Sequence, residues 1–169
     1  DTSKVEAYAG GANDTAPTST LFTLGNADDA WNANGDNYIV YCWHEVPGFS
    51  KFGRYTGNGS SDGPYVNLGF RPAWTMIKST SATWNWVIQD TKRFDGFNSG
   101  ATNRNLAANS ESAEPSSASF SGNEIDYLSN GFKLRSTAAN TNASGTEYVY
   151  FAFAEQSGFT PFDASTNAR

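Results

Sequence analysis

Apolar and polar positions alternate with a period of two along much of the chain, and the clearest such phrase occurs twice. "NANGDNYIVYCWHEVPGFSKF" (Asn32 to Phe52) and "NASGTEYVYFAFAEQSGFTPF" (Asn142 to Phe162) align without a gap. They share Asn32/Asn142, Ala33/Ala143, Gly35/Gly145, Tyr38/Tyr148, Glu45/Glu155, Gly48/Gly158, Phe49/Phe159 and Phe52/Phe162. In the first copy Ile39, Tyr41 and Trp43 alternate with Tyr38, Val40, Cys42 and His44. In the second, Val149, Phe151 and Phe153 alternate with Tyr148, Tyr150, Ala152 and Ala154. Both faces are mostly apolar, so each copy predicts a central strand covered on both sides, entered through a glycine-containing turn. The phrase is then expected to recur because two core strands, neighbours in one sheet, need the same turn and the same buried face.

Further strands are predicted between the copies. "GRYTG" precedes the glycine-rich loop "GNGSSDGP". "AWTMIKS" and "WNWVIQD" read as a hairpin from Ala73 to Asp90. "IDYLSNGFKLR", Ile125 to Arg135, reads as a hairpin with Asn130-Gly131 in its turn, and "TLFTL", Thr20 to Leu24, as a short strand. Residues 1–18 read as a linker or irregular lead-in, and the start "DTSKVEAY" as a cut from something longer. Many short strands, frequent turn signals and almost no helical period predict an all-β fold. It is a single antiparallel β-sandwich over residues 19–169.

Composition narrows the function. In 169 residues, 17% are charged and 15% aromatic, the balance of a chain that folds. The net charge is −6 and no run of Lys or Arg occurs, which argues against nucleic acid as a partner. No apolar stretch reaches membrane-spanning length, so no membrane insertion is expected. Cys42 is the only cysteine, so no internal disulfide forms, and with His44 as the only histidine no closed zinc site is available.

Catalytic patterns are missing. There is no E-x-D-x-x-E arrangement of the kind sandwich glucanases carry, no G-x-S-x-G elbow and no P-loop, and His44 lies inside a predicted strand. Glu45 and Glu155 are read as strand-end carboxylates that bond backbone amides or an arginine such as Arg54 or Arg71. The other reading is a catalytic acid pair. Asn13, Asn58 and Asn142 open N-x-S/T triplets that chance explains in a chain this rich in Asn, Ser and Thr. No cofactor is expected, although Asp62, Asp90 and Asp95 in loops could hold calcium with carbonyl groups. What remains is a surface of Asn, Ser, Thr, Tyr and Trp, suited to sugars through aromatic stacking and planar hydrogen bonds. The candidate ligand residues are Trp84, Asp90, Arg93, Asp95, Asn98, Asn103 and Arg104, at and beyond the second strand of the hairpin that ends at Asp90.

The ordered series "YTGNG" (Tyr55–Gly59), Gly69/Arg71/Pro72, "MIK" (Met76–Lys78), "WVIQD" (Trp86–Asp90), "LSNGFK" (Leu128–Lys133) and "AFAE" (Ala152–Glu155) resembles a domain of bacteriophage virion proteins. That domain is frequent in marine phages, in tail-fibre and other structural polypeptides. The resemblance runs from Ser19 to Arg169. It implies a lectin-like sandwich, of jelly-roll or concanavalin A-like type, on the virion surface that attaches to host cell-surface carbohydrate, with no catalytic residues to carry over and a homotrimer in the full-length fibre. The alternatives are a structural component, a capsid decoration or fibre-shaft domain contacting only other phage proteins, and an enzyme degrading polysaccharide.

Overall fold

A computed structural model gives the structure of residues 15, 17–25, 32–93, 105–111 and 124–155. The chain divides into two units, residues 1–43 and residues 44–169, and every strand among the described residues lies in the second. These strands are β1 (Ser50–Thr56), β2 (Tyr65–Asn67), β3 (Pro72–Ser79), β4 (Val87–Asp90), β5 (Leu106–Ala107), β6 (Ile125–Leu128), β7 (Gly131–Leu134) and β8 (Glu147–Ala154). One helical turn, α1 (Ala139–Asn142), precedes β8. They form a five-stranded sheet in the order β1-β8-β3-β4-β5 and a three-stranded sheet in the order β2-β7-β6, with every pairing antiparallel. The fold is the expected all-β, sandwich-like one.

Period-two patterning sets the core. Tyr55, Ile77, Tyr148, Tyr150 and Ala152 point inward from the five-stranded sheet and meet Val66, Ile125, Tyr127, Phe132 and Leu134 from the three-stranded one in a single buried cluster. Phe132 joins the layers, with its ring edge-on to Tyr55 at 6.1 Å and to Tyr150 at 5.5 Å. A polar link also crosses them. The fully buried Tyr127 hydroxyl donates to the Gln89 carbonyl at 3.1 Å and bonds the Thr75 hydroxyl. Burial pushes the Tyr127 pKa far up, so the phenol stays a neutral donor.

Two expected hairpins are present, one with a shifted turn. β3 and β4 pair through Met76↔Ile88 and Ile77↔Val87, although Trp84-Asn85-Trp86 precede β4 rather than belonging to it. In β6–β7, Leu128 pairs with Gly131, so the turn residues are Ser129 and Asn130 and Gly131 opens the strand. The reason for glycine at 131 is close approach: a Cβ there would collide with the Val66 carbonyl oxygen of β2. "TLFTL" forms no strand.

Among the described residues, the two copies of the repeated phrase fold alike at their turns and not beyond. The Ala33 N–H donates to the Tyr38 hydroxyl at 2.8 Å, and the Ala143 N–H to the Tyr148 hydroxyl at 2.8 Å. The Asp36 N–H reaches the Ala33 carbonyl at 3.3 Å, and the Thr146 N–H the Ala143 carbonyl at 3.2 Å. Gly35 and Gly145 take φ of 91° and 73°, the left-handed region open to glycine. Beyond the tyrosines the copies diverge. Tyr148 lies in β8, central in its sheet between β1 and β3. Tyr38 to Glu45 is not a strand, and its residues are exposed rather than covered on both sides. Alternation supplies a strand's side chains, but a strand also needs neighbours for its backbone groups. β1 instead begins after a tight turn over residues 46–50, where Gly48 has φ 77°.

Candidate functional site

The face of the five-stranded sheet turned away from the core carries the aromatic side chains that alternate with the core residues. Register places Phe153, Trp74 and Asp90 side by side on β8, β3 and β4. The next row is Phe52, Phe151, Met76, Ile88 and Leu106, running from β1 to β5. Phe52 sits edge-on to Phe151 at 5.4 Å and to Phe153 at 5.8 Å, Trp74 lies 5.5 Å from Phe153, and Trp86 lies 6.4 Å from Phe151. All five rings are half-buried: they hold one another in place while keeping part of each surface open. Phe49 packs on Phe153 at 6.0 Å and closes the end beside the turn over residues 46–50.

Charged and planar polar groups border this platform. The Asp90 carboxylate accepts the backbone N–H groups of Lys92 at 2.9 Å and Arg93 at 3.0 Å and is paired with the Arg93 guanidinium. Burial pushes the Asp90 pKa up, but the Arg93 side chain and these two amides outweigh it and hold it below the usual carboxylate value. Asp90 therefore remains an anionic acceptor, fixed beside Trp74. Lys92 is paired with Glu155 at the end of β8, and Arg54 with Glu147 at 3.4 Å on the opposite border. Lys78 spends its ammonium on the carbonyls of Ser79 at 2.8 Å and Ala82 at 2.6 Å.

Of the residues singled out from the sequence, Asp90 and Arg93 stand together on this border. Trp84 packs against the core cluster instead. Asp95, Asn98, Asn103 and Arg104 lie outside the described residues. The platform rings Phe52, Trp74, Trp86, Phe151 and Phe153 are not among those singled out. Their signal is the second apolar face of "AWTMIKS" and "YVYFAFA", which reads equally as a covered face.

The two glutamates of the repeated phrase hold structure. Glu45 Oε1 accepts the Phe52 N–H at 3.2 Å. Glu155 is engaged by Lys92, whose hydrogen bond and charge lower its pKa. Among the described residues no three His, Cys, Asp or Glu side chains form a metal-holding group. Of the loop acids considered for calcium, Asp62 lies 2.7 Å from the Lys133 ammonium, Asp90 is bound to Arg93, and Asp95 is outside the described residues. No helix among the described residues is long and apolar enough to cross a membrane.

The chain belongs to a family described as a domain of unknown function, DUF7483, whose model matches residues 1–157. No curated protein and no solved structure matches it.

Proposed function

We propose that the chain is a non-catalytic recognition module of a bacteriophage virion, binding host-surface carbohydrate on the aromatic face of the five-stranded sheet. The observation that carries this reading is the set of half-buried rings Phe52, Trp74, Trp86, Phe151 and Phe153, laid across adjacent strands with the Asp90–Arg93 pair beside Trp74. Sugar rings offer C–H faces that stack on aromatic rings and hydroxyls that pair with a fixed carboxylate–guanidinium edge, and the half-buried rings beside the Asp90–Arg93 pair offer both. The virion setting rests on the ordered motif series from Tyr55 to Glu155 that resembles phage structural domains.

The test is binding to host cells and to a glycan array. The chain is expected to bind, and Trp74→Ala to weaken binding at least about tenfold, equivalent to ~1.4 kcal/mol, while the variant remains folded at the assay temperature. Failure of the chain to bind cells that the intact fibre binds would remove this reading. Release of reducing ends from host polysaccharide, lost in Glu155→Gln, would put an enzyme in its place. A structural virion component is favoured by a separate feature, the exposed apolar residues Ile39, Val40 and Tyr41. A lattice position on the head, rather than an apical one on the fibre, would decide for it.

A further inference from the structure

Residues 38–45 carry the side chains of a sheet strand and do not form one. Ile39 is 80% exposed, Val40 53% and Tyr41 72%. Scattered apolar residues on a surface need no explanation, but consecutive β-branched and aromatic ones make a strand-pairing segment. The segment is also a copy of β8, entered through the same turn, with the tyrosine hydroxyl accepting the alanine N–H at 2.8 Å in both places. β8 shows what such a sequence does inside a sheet: it pairs antiparallel along its length with β1 on one side and β3 on the other.

We infer that residues 38–45 are a donor strand that adds, antiparallel, to the outer edge of β1 in a second copy of this chain. The sheet order selects that acceptor. Among the described residues β3 is enclosed by β8 and β4, whereas β1 and β5 are the edges of the five-stranded sheet, and β5 has only two residues against the seven of β1. The edges of the other sheet, β2 and β6, have three and four. The outer edge of β1 is capped by a side chain: the Phe52 N–H, turned away from β8, is held by Glu45 Oε1 at 3.2 Å. The turn over residues 46–50 joins donor to acceptor within each chain, closes over a single bridge, and contains Pro47 and Gly48. Opening such a hinge lets two copies exchange the same element about a two-fold axis, each donating and each accepting, with Glu45 displaced by backbone carbonyls of the incoming strand.

The register that continues the Val46↔Ser50 bridge sets Cys42 opposite residue 54 of the acceptor. Light scattering on the full chain is expected to give at least twice the 18.2 kDa chain mass. The double variant Ile39→Lys, Tyr41→Lys is expected to return to the single mass and still unfold cooperatively, because in the single chain these side chains are exposed and lie outside the buried core. A chain carrying Cys42→Ser and Arg54→Cys, mixed with the native chain and mildly oxidised, is expected to form the mixed disulfide. A native chain of single mass, a double variant that associates as well as the native chain, or an associated sample without the mixed disulfide would each overturn the inference. None of these readouts involves carbohydrate, so their failure is distinct from failure of the proposed function.

Discussion

Replacing Asn142 with alanine is expected to cost about 3–5 kcal/mol, a large share of the stability of a domain this size. Asn142 is fully buried at the end of α1, and its amide ties the loop between β1 and β2 to the residues just before α1. Nδ2 donates to the Ser60 carbonyl at 2.8 Å and to the Ser136 carbonyl at 2.7 Å, while Oδ1 accepts the Asn58 N–H at 2.9 Å. The loop between β1 and β2 thus folds around one side chain. Truncation would strand the buried Ser136 carbonyl and take this partner from the part-buried Asn58 N–H and Ser60 carbonyl, and the cost of an unpaired buried group exceeds the net worth of the bond lost. Urea unfolding should show the midpoint falling sharply with an unchanged m-value. Asn142→Asp, which keeps the shape but loses both donors, should be comparably destabilised. If either variant melted within a few degrees of the native chain, the central place of Asn142 in the loop would be wrong.

Gly131→Ala should be nearly as damaging, at about 3 kcal/mol or more, although it adds a single methyl group. The added carbon would overlap the Val66 carbonyl oxygen and lie 3.1 Å from the Tyr65 ring. Backbone cannot swing aside as a side chain does, so β2 must separate from β7, and with it Val66 must leave the core. The informative comparison is Gly145→Ala. There a Cβ meets nothing within 4 Å and the strain is only that of φ 73°, so a loss of about 1 kcal/mol is expected. Equal losses in thermal unfolding would contradict the assignment of Gly131 to close approach.

Much of the sandwich is legible in the sequence because most inward-facing residues are apolar and their spacing is regular, with Thr75 and Gln89 as buried polar exceptions. Tyr148, Tyr150 and Ala152 on β8 and Ile125 and Tyr127 on β6 fall on the core side by period alone. The shifted turn at Ser129-Asn130 is not legible, because glycine suits both positive φ and close approach and only the neighbouring strand decides between them. The first copy of the repeated phrase misleads for a related reason. Its side-chain pattern matches β8, but strand formation depends on partners that a local pattern does not contain. The buried role of Asn142 is likewise hidden, since an asparagine in an N-x-S triplet ordinarily reads as surface. Asp90 and Arg93 are reachable as charged residues ending a strand. The ring platform beside them is not, because an aromatic on the second face of a strand looks the same whether that face is covered or open.

Carbohydrate binding on the half-buried rings of the five-stranded sheet is tested most directly by amide and indole chemical-shift mapping, as an array-positive oligosaccharide is titrated into the chain. Shifts centred on Trp74, Trp86, Phe151, Phe153 and Asp90, absent in Trp74→Ala, are predicted. Shifts confined to other parts of the sandwich, with those residues unmoved at saturation, would contradict it.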